Sequence, residues 1–533
     1  MGHKLAIDFG TTNSMLARWD EKKEGPAILT IDGLSATMRA GLPPSIPSLV
    51  YVNDGRTRAI TCGQAVQSNG FDVLPGNRLF RNFKRGIVAT PSPEPREIDG
   101  AFWADRDAGQ AFLKQLVDAL PYRDEDIDQL VLAAPVASFE GYLSWLNDVV
   151  TGIAPEKIRV VDESTAAALG YTVTEPGAVV LVLDFGGGTL DLSLVQLPER
   201  REKTGGILKH LLGGRTSQYT AEVIAKAGRI IGGSDVDQWL LAEVVNRTGL
   251  TPPELGQVYA KLLTLCEKAK IELSTLEQTI FSFAVNGKTH AITITRKQLE
   301  TLLEENGFYI ALRRVVDKVM HVARQRGIFK EDIRYVLLVG GTSLMPSVQT
   351  TLKQYFTETA VRTDKPFTAV AEGALQVAAG YGLDDYLIHS YGLRYLNEES
   401  RHEYDEIIPM GSRYPISHPV EVVMEAAHKN QQEMEFVIGE IDTEAVAMIE
   451  VKYENGQAVF VAQAADDAQR IVPLNLNESV AAILAKLDPP GQPGTNRVHA
   501  WFVVDDRRRL RITAVDLLTG NTLLDDVVVA TLR

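Results

Sequence analysis

The sequence predicts an α/β protein of two similar lobes followed by a mostly-β domain. Three observations carry that prediction. Residues 178–195, AVVLVLDFGGGTLDLSLV, read as a strand buried on both faces, a glycine loop and a second strand, with Asp184 and Asp191 at the mouth. The same grammar opens the chain, where Leu5-Ala6-Ile7 runs into Asp8-Phe9-Gly10-Thr11-Thr12. Asp184 follows Asp8 by 176 residues, and a repeat at that distance implies two lobes facing one ligand. Finally, strand-like and helix-like stretches alternate up to about residue 383, whereas 390–533 shows short alternating strands.

The glycine loop carries chemistry. Gly186, Gly187 and Gly188 remove every Cβ, so backbone N–H groups can approach a ligand closely, and such concavities take anions, phosphate above all. A tight turn would need only one or two glycines. Carboxylates beside a phosphate repel it unless a cation bridges them, most simply Mg²⁺.

Composition narrows the class. A chain of 533 residues is too long for one core and should hold two to four domains. Charged residues at 23% and hydrophobic ones at 45% are ordinary for a globular protein. A net charge of −15 argues against nucleic acid or an anionic membrane as partner. Two cysteines, Cys62 and Cys266, are too few for a disulfide framework and fit a reducing compartment. There is no secretory h-region, no apolar run near the ~20 residues that span a bilayer, and no myristoylation pattern, so the expectation is a soluble cytoplasmic protein.

Taken in order, Leu5–Phe9 and Met15–Trp19 are strands, and prolines 43, 44 and 47 punctuate a loop before the strand Leu49–Val52. The basic stretch Arg78–Arg85 is either a solvated face or a cation aimed at phosphate. Helices are expected over Ala108–Leu120 and about 138–150, with a strand at Gln129–Ala134 between them. The strand Ile158–Val161 leads into a small-residue helix, Glu163–Gly170, suited to close packing between lobes. Glu163 is either a plain helix N-terminal carboxylate or a catalytic acid. Gly232-Gly233-Ser234-Asp235 turns into a helix with Ser234 as cap. A helix over Leu255–Ser274, a hairpin around Asn286-Gly287, one helix over about 296–325, a strand into Gly340-Gly341 and a helix over Phe367–Gly382 complete the first region. In the second, Glu478–Lys486 is the one helical stretch. There is no P-loop and no G-x-G-x-x-G, so a nucleotide site here must be of another kind.

Four motifs in order resemble those of the heat-shock protein 70 family, the DnaK-type chaperones. Asp8-Phe9-Gly10-Thr11-Thr12-Asn13-Ser14 looks like its first phosphate loop and Asp184–Asp191 like its second. Asp162–Ala168 is similar to its connecting segment, and Val339–Pro346 to its adenosine motif. The first two motifs alone would also fit actin-like filament proteins and sugar kinases. The resemblance implies a two-lobed actin-like ATPase domain over 1–383, a linker at 384–389 and a β-sandwich of the substrate-binding type over 390–533 without the helical lid.

It also implies a site for ATP/ADP and Mg²⁺. Gly10, Thr11, Thr12 and Asn13 would hold phosphates opposite Gly186, Gly187, Gly188 and Thr189. Gly232 and Gly233 would stand beside them. Asp8 and Asp184 would hold Mg²⁺ through water. Lys84 would reach the γ-phosphate, with Arg81 as the alternative, and Glu163 would position the attacking water. Glu267, Lys270, Ser274, Gly340, Gly341, Thr342 and Ser343 would hold the adenosine side. The catalytic set is then Lys84, Glu163, Asp184 and Thr189.

This chain departs from the family where adenine is sandwiched between two arginines, since Ile271 and Leu344 stand there. It also has no arginine over Ser138–Leu146, where the family carries one that relays nucleotide state between domains. The expected function is an ATP-dependent chaperone-like protein that hydrolyses ATP slowly and binds extended or unfolded polypeptide. A J-domain co-chaperone and a nucleotide exchange factor are its implied partners. The alternative is a nucleotide-dependent switch or scaffold that holds one dedicated protein partner with little hydrolysis.

Overall fold

The computed structural model describes the chain apart from residues 1, 38–41, 90, 136–141, 143–144, 147–148, 150–152, 155–156, 172–176, 198–219, 357–360, 380–381, 388, 398–400, 417, 443–447, 455–456, 464–469, 476–482, 506–507 and 533. Two compact units emerge, Met1–Leu383 and Asp384–Arg533.

The first unit holds two sheets of one design. Strands β1 (His3–Asp8), β2 (Asn13–Asp20), β3 (Gly25–Leu29), β4 (Ile127–Ala134) and β5 (Ile158–Asp162) line up as β3-β2-β1-β4-β5, with the short strand Ile46–Pro47 pairing off β2. Strands β6 (Val179–Phe185), β7 (Leu190–Gln196), β8 (Thr220–Arg229), β9 (Ile333–Val339) and β10 (Val361–Arg362) line up as β8-β7-β6-β9-β10. In both sheets the first strand runs antiparallel to the second and parallel to the fourth, and the fourth runs parallel to the fifth. The repeated Asp-Phe-Gly is therefore a repeated topology, with each aspartate at the same end of the first strand of its sheet.

The apolar run of β6 is buried at every position, as the unbroken Val and Leu predict for a strand covered on both faces. Each such side chain contributes about 1.5–3 kcal/mol of burial. Between the sheets lie two helices, α1 (Glu163–Gly170) and α2 (Ala369–Ala378). Ala166–Leu169 and Ala369–Leu375 share one apolar cluster with Ala6, Val131 and Val161 of the first sheet and Val180, Val182 and Leu337 of the second. Their approach is limited by backbone: a Cβ on Gly170 would meet the Ala369 carbonyl oxygen at 1.8 Å, and one on Gly373 that of Ala166 at 1.6 Å. The small-residue helix read from the sequence is thus a close-packed element between the lobes.

Some boundaries differ from the sequence reading. The stretch 296–325 is two helices, Arg296–Glu305 and Phe308–Gln325, because Gly307 takes the left-handed conformation (φ 71°) and ends the first. The expected helix at about 138–150 lies largely outside the described residues. The hairpin at Asn286-Gly287 forms with both residues at positive φ, as a two-residue turn requires.

In the second unit, His402–Ile408, Ser390–Leu396, Ile438–Asp442 and Arg470–Pro473 form one sheet in that order. Val420–Glu425, Asn496–Val504, Arg509–Asp516 and Thr522–Thr531 form another. A single core that includes Tyr391, Phe436, Phe502 and Ile512 joins them. Asp385 and Tyr386, expected in a linker, pair with Tyr414 and Arg413. Of the expected helix Glu478–Lys486, residues 478–482 lie outside the described residues, and the rest is corrected: Ile483–Gly491 is a strand paired with Gln431–Phe436. Its alternation decides the matter, since Ala485 and Leu487 are buried while Leu484 and Lys486 are exposed. No helix among the described residues is long and apolar enough to cross a membrane.

Candidate functional site

The two glycine loops stand on opposite sides of one cleft of about 400 Å³. The glycines are there because the loops touch. A Cβ on Gly10 would fall 2.0 Å from the Asn13 carbonyl oxygen. One on Gly187 would fall 2.0 Å from Thr12 Oγ1, and one on Gly188 2.5 Å from Thr11 Oγ1. Their carbonyls are tied from behind. Ser48 Oγ donates to Gly10 O (2.7 Å), Thr342 Oγ1 to Gly186 O (2.8 Å) and the Ser234 N–H to Gly187 O (2.8 Å). The N–H groups of Gly187 and Gly188 make no backbone hydrogen bond among the described residues, which suits them to an anion.

The floor of the cleft is charged and buried. Lys84 is 3% exposed, and its ammonium lies 2.6 Å from Glu163 Oε1. The rings of Phe9 and Tyr142 flank that ammonium at 5.4 and 5.3 Å, and the Tyr142 hydroxyl donates to the Lys84 carbonyl. Asp8 and Asp184 end the first strands of their sheets beside this pair. Burial, followed by the Glu163 charge, raises the Asp8 carboxyl to about 7 against the pull of Lys84. Burial, then Glu163, Asp8 and Asp191, lifts Asp184 well above the ordinary carboxylate range. One ammonium leaves a net negative charge among Asp8, Glu163, Asp184 and Asp191, which a divalent cation would offset. Among the described residues no three His, Cys, Asp or Glu side chains converge as direct metal ligands. Asp8 and Asp184 are the carboxylates at the strand ends that face the cleft.

At the far end of the cleft, Glu267, Lys270, Ile271 and Ser274 line one wall, and Gly340, Gly341, Thr342 and Leu344 the other. Lys270 is already engaged: its ammonium lies 2.8 Å from Asp237 Oδ1 and donates to Gly233 O at 2.9 Å. Burial raises Asp237 to about 6, with Lys270 opposing and Glu267 adding to the rise.

The cleft brings together Asp8, Gly10–Asn13, Lys84, Glu163, Asp184, Gly186–Thr189, Gly233, Glu267, Lys270, Ser274 and Gly340–Thr342. Two of the expected residues stand behind it. Gly232 packs on the second loop, where its Cβ would meet Gly187 O at 2.5 Å, and Ser343 turns inward to donate to Gly340 O at 2.7 Å. Arg81 points away from the cleft to Thr264 Oγ1 and the Asp72 carbonyl, so Lys84 is the cation of the basic stretch that enters it. Ser234 does not cap its helix, which begins at Gly233; its hydroxyl donates to Asn82 Oδ1 at 2.9 Å, while Asp235 caps Gly232.

No motif in the sequence marks Met15, Pro366, Phe367 and Val370, which line the cleft. Nor did it reveal the ion pair of Arg85 with Asp235 at 2.9 Å, which joins residues 150 apart across the cleft.

Residues 147–389 match the family model described as Hsp70 protein. The chaperone protein DnaK of Thermosipho africanus is 26% identical over 97% of this chain and 78% of its own length. The DnaK proteins of Trieres chinensis and Buchnera aphidicola are each 28% identical over 70% of this chain. Those matches span 60% and 59% of the two relatives, less than two thirds of their length.

Proposed function

We propose, from the match of residues 147–389 to the Hsp70 family model and the similarity to DnaK proteins, that this chain is a chaperone-like ATPase that hydrolyses ATP slowly and binds extended or unfolded polypeptide through its β unit. The observation that carries the reading is the buried Lys84–Glu163 pair, set between two strand-end aspartates beneath two glycine loops. Phosphoryl transfer needs little covalent help, so the protein's part is positioning and charge balance.

In this reading the N–H groups of Gly187 and Gly188 and the hydroxyls of Thr11, Thr12 and Thr189 hold the phosphate oxygens. Asp8 and Asp184 would hold Mg²⁺ through water, and the ion would supply positive charge at the phosphate end. Lys84, moving from Glu163 toward the γ-phosphate, frees that carboxylate to orient a water and accept its proton. Ile271 and Leu344 cover the purine by contact alone. J-domain and exchange partners are part of the proposal at family level.

Single-turnover hydrolysis with Mg²⁺ tests it. The wild type should turn over, faster with an unfolded polypeptide present. Lys84→Ala should be slower by roughly 100-fold, the usual scale for one lost charge-stabilising group. Tight ATP binding without turnover, indifferent to polypeptide, would instead support a nucleotide-dependent scaffold with a dedicated partner, a reading favoured by the aliphatic residues at the nucleoside end.

A further inference from the structure

Behind the phosphate end, where α1 packs on the second sheet, runs a line of polar side chains shut off from solvent. Asp162, Ser164, Thr165, Asp191 and Ser193 are 1% exposed or less, and Lys226 is 5% exposed. Strand register sets them on one face: Asp184 stands opposite Asp191 across β6 and β7, and Ser193 opposite Lys226 across β7 and β8. Asp162 ends β5 and caps α1. Its Oδ1 accepts the Thr165 N–H at 2.8 Å and the Ser164 hydroxyl at 3.3 Å, and the Ser164 and Ser193 hydroxyls lie 2.7 Å apart. The other oxygen, Asp162 Oδ2, is buried, makes no hydrogen bond among the described residues and has the Lys226 ammonium 3.8 Å away.

A buried lysine and a buried aspartate are each costly alone, and an apolar pair of equal volume would serve packing as well or better. What an apolar pair could not do is hold the cap. Asp162 immediately precedes Glu163, so the orientation of its carboxylate fixes the backbone from which Glu163 departs toward Lys84. Lys226 lies on β8 of the second sheet, and Asp162 ends a strand of the first. Their attraction therefore ties the start of α1 to the opposite lobe.

We infer that Lys226 is a positioning residue for Glu163: through the Asp162 cap it sets the angle at which Glu163 meets Lys84 and the γ-phosphate. The inference rests on the role given to Glu163 above.

The test is single-turnover hydrolysis at saturating ATP, with ATP affinity and thermal unfolding measured on the same full-length proteins. The variants are Lys226→Met, Lys226→Gln, Asp162→Asn and the Lys226→Met/Asp162→Asn double. Lys226→Met should slow hydrolysis by roughly 10- to 100-fold, the scale of a misplacement of about 1 Å. ATP affinity should change by less than about threefold, because the loss falls on the chemical step. Asp162→Asn keeps a capping oxygen but removes the charge that faces the ammonium, and should also slow the reaction. The double variant removes both members of the pair and should be no slower than the slower single variant, a non-additivity that a merely structural pair would show in melting temperature alone.

Wild-type turnover in both Lys226→Met and Lys226→Gln, or single losses that multiply in the double, would overturn the inference. Lys226→Gln keeps a polar side chain facing Asp162 without the charge and serves if the methionine variant does not fold. A wild type that binds ATP without hydrolysing it overturns the role of Glu163 and this inference together. Turnover indifferent to residue 226 overturns this inference alone.

Discussion

The two ends of the cleft are built on opposite terms. At the phosphate end the walls are backbone and buried charge: glycines whose missing Cβ atoms leave room at 2.0–2.5 Å, and a lysine–glutamate pair that is 3% and 7% exposed. At the nucleoside end the walls are side chains, Ile271 at 51% exposure among them, with Phe367, Leu344 and Met15. Rigidity is thus spent where charge must be placed, and adaptable apolar surface is left where a ring has only to be covered. The contrast predicts that substitutions at the first end act through strain and unpaired charge, and those at the second through contact with the ligand alone.

The largest effect should come from Gly10→Ala. The added Cβ would sit 2.0 Å from the Asn13 carbonyl, and backbone there cannot yield without moving the loop held by Ser48. A loss of about 3 kcal/mol in stability follows, together with loss of detectable ATP binding. Urea unfolding and calorimetric titration with Mg·ATP check it. A variant that binds normally would break the claim that the loop has one usable shape.

Asp8→Asn sharpens the same end through pH. Asp8 titrates near 3.8 when unfolded and at about 7 when folded, so between those values the folded state binds more protons. The nucleotide-free wild type should lose stability as pH rises from 4 to 7. Asp184, raised by the same causes, steepens that loss. Asn removes one titration and should stabilise the free protein at pH 7 by about 2 kcal/mol while weakening its response to Mg²⁺. Denaturation midpoints measured across that range, with and without Mg²⁺, decide it, and parallel curves for the two proteins would sink the assignment.

What could be read in the sequence follows from the same contrast. The phosphate end is made of short contiguous motifs, so Asp8–Asn13, Asp184–Thr189 and Gly340–Thr342 announce themselves, and with them the two-lobed fold. Glu163 was ambiguous because a carboxylate opening a helix serves dipole and catalysis alike. Lys226, Asp162 and the Arg85–Asp235 pair were silent, because each acquires meaning only when strands distant in sequence are brought together. Within the helix expected at Glu478–Lys486, the described residues 483–486 are strand for a related reason. Leu, Ala and Lys favour a helix in isolation, but pairing with Gln431–Phe436 imposes a two-residue period that buries Ala485 and Leu487.

The smallest effect belongs to the nucleoside end. Ile271 lines the cleft yet is half exposed, so its replacement leaves little hole and no unpaired group behind. In Ile271→Arg a guanidinium can lie over the purine face, a gain of about 0.5–1 kcal/mol at an exposed site, or roughly two- to fivefold in ATP affinity. The melting temperature of the free protein should not move, because the side chain sits in solvent until ligand arrives. Titration of the variant with ATP and with Mg·triphosphate separates ring from phosphate: the gain should appear with the first and vanish with the second. A gain with triphosphate too would mean that the new charge acts at the phosphate end, and the division of labour between the two ends would fall.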